Sequence, residues 1–261
     1  MRQIYIIALN TFREGVRNRV FASLIAFAVC LLFLTLAVSQ ASLHEEVRLV
    51  KDMGLFLCST FSSLICIFIG VNLVYKDVER KTIYTILPKP IYRWQFLLGK
   101  YFGIGATMAV QVAVMGLVLF GQFLALDAEF GLLMLKAIWL IYVEVMVVGA
   151  VALFFSSFST PFLSGLLTLG VFVVGRFGDR IATMRLSEDI NAATQSDPFV
   201  AFLKGVAAAA PDLSQFNVTA YVVYDSGLPL SYVYHATAAG FAYAGVVLVL
   251  ASMAFARRDF T

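Results

Sequence analysis

Long apolar runs separated by short charged segments dominate the pattern of this 261-residue chain. Several uncharged runs approach or exceed the roughly 20 residues that a helix needs to cross a bilayer. Backbone in contact with lipid must satisfy its own hydrogen bonds, and the runs lack the alternation of barrel strands, so they predict membrane-spanning helices. Six spans are expected, at about residues 20–39, 54–75, 101–126, 132–155, 161–176 and 228–256.

Two segments outside these spans also have a helical pattern. In residues 1–19, apolar positions recur every three or four residues, and Arg2, Asn10, Arg13, Glu14 and Arg17 fill the other side. This pattern predicts an amphipathic helix that lies in the membrane interface. In the outer segment 177–227, Asp197 and Pro198 are expected to start a short amphipathic helix.

Composition agrees with a membrane protein that has no separate soluble domain. Mean hydropathy is +0.89 and only 13% of the residues are charged, against about 25% in soluble domains. We therefore expect one all-α transmembrane domain over residues 1–261. The three cysteines lie inside apolar runs, so neither a disulfide framework nor a metal site is predicted.

The distribution of charge predicts the orientation. With both termini placed inside, the inner segments hold 12 of the 19 lysines and arginines. By the positive-inside rule, both termini and the loop 76–100 are expected on the cytoplasmic side. This count treats Arg176, the last residue of the fifth span, as an outer residue.

Glu144 is the one ionisable residue near the middle of a predicted span. A carboxylate there costs on the order of 2.5–3.5 kcal/mol on insertion scales, so it is expected to face the bundle interior or a subunit interface. A role in translocation or helix coupling and a plain hydrogen bond to a neighbouring helix are both open. A secondary transporter or an intramembrane enzyme acting through Glu144 remains an alternative function.

The loop 76–100 is the most informative segment. It holds six basic residues and is longer than the roughly 2–8 residues that usually connect two helices. Residues 77–87 are long enough for about three helical turns. The apolar side of these turns consists of Val78, Ile83, Ile86 and Leu87, and the polar side of Glu79, Arg80 and Lys81. The mixture of apolar and charged positions favours a docking surface for another protein.

Nucleotide binding by this chain is not expected. Gly99-Lys100 lacks the upstream glycine and the following hydroxyl residue of a P-loop. Nor does any feature of the sequence point to nucleic acid.

Eight residues of the loop form an ordered pattern: Glu79, Thr82, Ile83, Leu87, Pro90, Arg93, Gly99 and Lys100. In order and spacing they resemble the cytoplasmic loop of permease subunits of ATP-binding-cassette (ABC) transporters of the type-2, exporter-like class. The layout of six spans with an interfacial first helix is similar too. Lys81 is a departure, since many members have glycine there. One branch of this family serves the maturation of multicopper enzymes.

The resemblance implies a coupling helix that docks on a separate ABC-type ATPase subunit. Its docking residues would be Val78, Glu79, Arg80, Thr82, Ile83, Ile86 and Leu87. Pro90, Arg93 and Lys100 would anchor the loop, the last two at headgroup level. ATP and magnesium would be bound by the partner and not by this chain, which would not itself be an enzyme. A second permease chain and a bacterial or archaeal cytoplasmic membrane are also implied.

Overall fold

The computed structural model describes residues 2–40, 45–79, 92–183 and 211–256, and these ranges contain helices and no strand. In chain order the α-helices are α1 (Arg2–Val16), α2 (Arg19–Gln40), α3 (Glu46–Glu79), α4 (Arg93–Ala125), α5 (Leu132–Phe158), α6 (Pro161–Thr183), α7 (Thr219–Val223) and α8 (Leu230–Ala256). One 3₁₀ turn, Ser214–Phe216, precedes α7. The predicted helix after Asp197 lies outside the described residues.

Within the described ranges, five helices are long and apolar enough to cross a membrane: α2, α3, α4, α5 and α8. The expected all-α, multi-pass architecture is therefore confirmed. The apolar part of α6, Pro161–Phe177, is shorter. The predicted span at residues 161–176 therefore stays a prediction, and so does the total of six spans.

Helices α3 and α4 are longer than the apolar runs that predicted them. Helix α3 begins at Glu46 instead of near residue 54, and α4 begins at Arg93, inside the predicted loop. The added turns are rich in lysine, arginine, glutamate and glutamine, which are good helix formers but end an apolar run. Hydropathy therefore located the apolar cores of these helices and not their ends.

Helix α5 lies in the centre of the bundle. From residue 140 to residue 153, every side chain except that of Tyr142 is buried. A helix that is apolar on all sides, as this one is, is buried on all sides. Helices α3, α6 and α8 pack around it.

Helix α1 packs lengthwise on the first turns of α4. A Cβ atom added at Gly99 would lie 2.7 Å from the Cβ of Ile7, and one added at Gly103 would lie 2.5 Å from the Cβ of Thr11. Residue numbers increase together along this contact, so α1 and α4 run parallel here. Glycines spaced four apart allow the two backbones to approach closely. The helix that uses this groove is α1.

A very short turn joins α5 to α6. Only Ser159 and Thr160 separate the two helices, and Pro161 occupies the first position of α6, where proline is well tolerated. Helices joined by so short a turn are antiparallel neighbours. Residues at equal distances from the turn on the two helices therefore lie at similar positions along the axis of the bundle.

The α1–α4 contact predicts a position-specific effect of added methyl groups. Replacing Gly103 with alanine should lower the thermal stability of the purified chain, because the new Cβ overlaps Thr11 and overpacking costs about 1–3 kcal/mol. The matched control is Gly121→Ala in the same helix, where nothing lies within 4 Å. An equal loss of stability in both variants would contradict the close approach of α1.

Candidate functional site

Two charged side chains meet near the middle of the bundle because of the α5–α6 turn. Glu144 precedes the end of α5 by 14 residues, and Arg176 follows the start of α6 by 15. At 1.5 Å per residue, both therefore lie about 21–22 Å from the turn. The register of the hairpin brings them side by side.

The two side chains form a buried ion pair. Nη1 of Arg176 donates to Oε1 of Glu144 at 2.8 Å, and the side chains are 6% and 1% exposed. From α3, the hydroxyl of Ser59 donates to Oε2 of Glu144 at 2.6 Å. Nη1 of Arg176 also donates to the Ser59 oxygen. One polar cluster thus joins α3, α5 and α6.

Pairing is what makes the burial of these charges tolerable. Removing a charge from water costs several kcal/mol, and the cost is offset only by close opposite charge and satisfied hydrogen bonds. Both oxygens of Glu144 have a donor. The guanidinium of Arg176 also lies 5.7 Å from the centre of the Phe56 ring and 5.8 Å from that of Phe172, within the range of cation–π attraction.

The segment from Pro211 to Val223 is packed next to this pair. The Leu213 amide donates to the carbonyl oxygen of Gly175 at 3.0 Å, one residue before Arg176. A Cβ at Gly175 would lie 2.5 Å from the carbonyl oxygen of Pro211, so the contact requires glycine there. Helix α6 and this segment are therefore joined directly beside the ion pair.

A cavity of about 10 Å³ separates Glu144 and Ser59 from Asn217 and Thr219. Its volume is near the minimum that one water molecule needs, and its walls carry polar groups that could bind one. The site therefore has room for a water molecule but not for a substrate.

Three further contacts hold residues 211–232 on the bundle. The Lys51 ammonium lies 3.0 Å from Asp225 and links the segment to α3. The Lys136 ammonium donates to the Leu228 carbonyl at 2.7 Å and links it to α5. The Tyr232 hydroxyl of α8 donates to the Gln215 carbonyl at 2.8 Å and links the segment to α8. The segment is thus attached to α3, α5, α6 and α8.

Comparison with known families identifies this bundle. The family model described as "ABC-2 family transporter protein" matches residues 5–260, nearly the whole chain. The chain belongs to the ABC-2 transporter family. A search of the curated proteins gave no match. The multicopper branch stays a prediction.

Membership confirms the resemblance seen in the loop 76–100. An ABC-2 protein is the membrane permease component of an ABC transporter, a transport component that is not itself catalytic, and in general it works with an ABC ATPase. The alternative functions through Glu144 find no support in its surroundings, since both carboxylate oxygens are engaged by Arg176 and Ser59.

The structure places the predicted docking residues of this ABC-2 permease only in part. Val78 and Glu79 belong to the last turn of α3, and Arg93 is the first residue of α4. Lys100 is buried in α4, with its ammonium 5.8 Å from the centre of the Phe96 ring. Arg80, Thr82, Ile83, Ile86, Leu87 and Pro90 lie outside the described residues. The docking and anchoring roles of all ten residues, inside and outside the described ranges, stay predictions.

Arg176 requires a correction. The sequence analysis counted it as an outer residue at the end of the fifth span and treated Glu144 as the one ionisable residue deep in the spans. Helix α6 continues to Thr183, so Arg176 is a helical residue buried against Glu144. Hydropathy missed it because the arginine itself ends the apolar run. The pair could have been predicted from the sequence, because Glu144 and Arg176 lie at nearly equal distances on either side of the turn between α5 and α6.

The ion pair predicts strongly non-additive mutations. Arg176→Gln leaves the Glu144 charge buried without its cation, so the variant should lose about 3–5 kcal/mol of stability. Adding Glu144→Gln to this variant should restore most of the lost stability, because the two amide side chains can hydrogen-bond to each other. Thermal unfolding of both single variants and the double variant in nanodiscs gives the coupling energy.

Lys51→Gln is the control for loss of a cation at a more exposed ion pair, where little change is expected. Additive effects of the Glu144 and Arg176 substitutions would show that the pair does not form.

Proposed function

We propose that this chain is a six-span permease half of an ABC exporter, driven by a separate ATPase that docks on the loop 76–100. The observation that carries the proposal is the ABC-2 family match over residues 5–260. The loop pattern from Glu79 to Lys100 supports the docking site. ATP and magnesium bind to the partner in this scheme.

The two helices that flank the loop are suited to carry motion away from it. Helix α3 has 34 residues and α4 has 33, about 50 Å each, against a hydrocarbon core of about 30 Å. Both helices therefore project beyond the membrane. Helix α3 connects the loop directly to Ser59 and the buried ion pair.

Packing at one end of the bundle supports the orientation. Helix α1 lies against Gly99 near the start of α4, and the ring of Phe255 near the end of α8 stacks on that of Phe96 at 6.1 Å. Both terminal helices therefore reach the end of the bundle where the loop begins. Together with the excess of basic residues there, this supports cytoplasmic termini in a bacterial or archaeal inner membrane.

The proposed transport cycle follows from these connections. Closure of the ATPase dimer on ATP moves the coupling helices, and α3 and α4 transmit the movement. The cluster at Ser59, Glu144 and Arg176 makes α3, α5 and α6 follow as one unit. Two such bundles then rock between inward-open and outward-open states, and export is the proposed direction.

A second permease chain is proposed to pack along α6. One face of α6 is apolar and exposed over its length: Phe162, Leu166, Leu169, Val173 and Phe177. Gly165 and Gly170 have open space around them, which allows close approach of another helix. On the neighbouring α3, Met53 and Phe56 are exposed. The translocation pathway would then run between the α3 and α6 faces of the two copies.

The docking proposal is tested by co-purification. The tagged chain, extracted from its native membrane, should bring down a P-loop ATPase with ATP-hydrolysing activity. Glu79→Ala should weaken this complex, and deletion of residues 77–87 should abolish it. Glu129→Ala, which removes an exposed carboxylate after α4, should retain it. Full retention of the ATPase by the deletion variant would overturn the docking site.

The dimer proposal is tested by cross-linking in membranes. In a chain whose three native cysteines are replaced, Val173→Cys should give disulfide-linked dimers on mild oxidation. Leu117→Cys on α4 is the control, since this residue is 68% exposed but lies on another face of the bundle. Cross-linking through Leu117 and not through Val173 would place the interface elsewhere.

A further inference from the structure

A groove of about 620 Å³ opens between the first turns of α3 and the segment from Asn217 to Tyr224. Its volume lies in the range of about 300–1,000 Å³ that is typical of small-molecule sites. Along α3 it extends from Glu45 to Phe56, about 16 Å at the helical rise. It is separate from the small cavity next to Glu144, although Asn217 and Thr219 line both.

The groove changes from charged to apolar along its length. Glu45 directly precedes α3, and Arg48 and Asp52 lie on its first two turns, whereas Met53 and Phe56 follow further along the same wall. The last two are 48% and 47% exposed. On the opposite wall, the Thr219 hydroxyl donates to Oδ1 of Asn217 at 2.7 Å. This arrangement suits an elongated amphiphile with its polar head at the mouth.

The charges at the mouth favour a cationic head. Arg48 is engaged by Glu45 at 3.0 Å and by the Tyr224 ring at 4.6 Å, and Lys51 is engaged by Asp225. Asp52, which lines the groove, has no ion-pair partner among the described residues. Arg48 is the basic side chain of the lining and is neutralised by Glu45, so Asp52 leaves one negative charge in excess above the apolar floor.

We propose that this groove binds an amphiphilic cation, with its head near Asp52 and its apolar chain against Met53 and Phe56. The proposal rests on the exporter function proposed above and names a substrate class for it. The groove lies opposite the end where α1, α8 and the loop meet. It would therefore hold the cation at the release side of the pathway.

The test uses two probes with the same chain and opposite heads, decyltrimethylammonium and decyl sulfate. Binding to the purified full chain in nanodiscs is measured by equilibrium dialysis at low concentration, with empty nanodiscs subtracted. Saturable binding of the cation and weaker binding of the sulfate are expected. Asp52→Asn should weaken binding of the cation about tenfold, equivalent to about 1.4 kcal/mol. Phe56→Ala should weaken it as well.

The matched control is Glu129→Gln, which removes one exposed carboxylate on the same side of the bundle but outside the groove. It should bind the cation as the unmodified chain does. Equal binding of decyl sulfate, an unchanged affinity in Asp52→Asn, or no saturable binding above empty nanodiscs would overturn the proposal. The last result is also the one expected if a lipid or a second copy of the chain fills the groove.

The experiment contains no ATPase, so its outcome is separate from the proposed function. Failure of cation binding with an intact ATPase complex overturns the groove proposal alone. Cation binding by a chain that recruits no ATPase overturns the exporter function and leaves the groove as a binding site of another kind.

Discussion

The ion pair between Glu144 and Arg176 is the constraint on which the rest of the bundle depends. Both charges are buried at mid-height, where either one alone would be costly, and Ser59 supplies the remaining donor. The three helices that contribute these residues cannot separate at this level without exposing a charge to an apolar environment. Helices α3, α5 and α6 therefore behave as one block, to which the segment after Pro211 is attached at Gly175.

This block gives a physical basis for long-range coupling in an ABC-2 permease. Helix α3 is continuous from Glu46 to Glu79, so a displacement at the loop end is carried to Ser59 and to the groove beyond it. Helix α1 braces α4 through the close contact at Gly99 and Gly103. In the proposed transport cycle, packed helices on both sides of the loop 76–100 would transmit movement imposed on it.

The sequence predicted much of this fold, and its errors have physical causes. The apolar runs located the cores of the five candidate spans, and the amphipathic pattern of residues 1–19 predicted α1. Neither pattern identifies which helices pack together, so α1 was not foreseen as the partner of Gly99 and Gly103 in α4. Arg176 was misplaced because a hydropathy pattern treats a charge as the end of a span, whereas a paired charge can lie inside one. The match over residues 5–260 confirms the family that the loop resembles, while the docking roles from Val78 to Leu87 and the anchoring roles of Pro90, Arg93 and Lys100 remain predictions.

The most direct test of the account measures whether ATP moves the two α6 helices through a docked partner. Spin labels at position 173 in both copies, in nanodiscs with the co-purified ATPase, report the distance between the helices by pulsed electron paramagnetic resonance. The account predicts that the distance changes when non-hydrolysed ATP is trapped, and that it stays the same when residues 77–87 are deleted. An unchanged distance in the intact, ATP-loaded complex would contradict the claim that the ATPase drives this bundle through its loop.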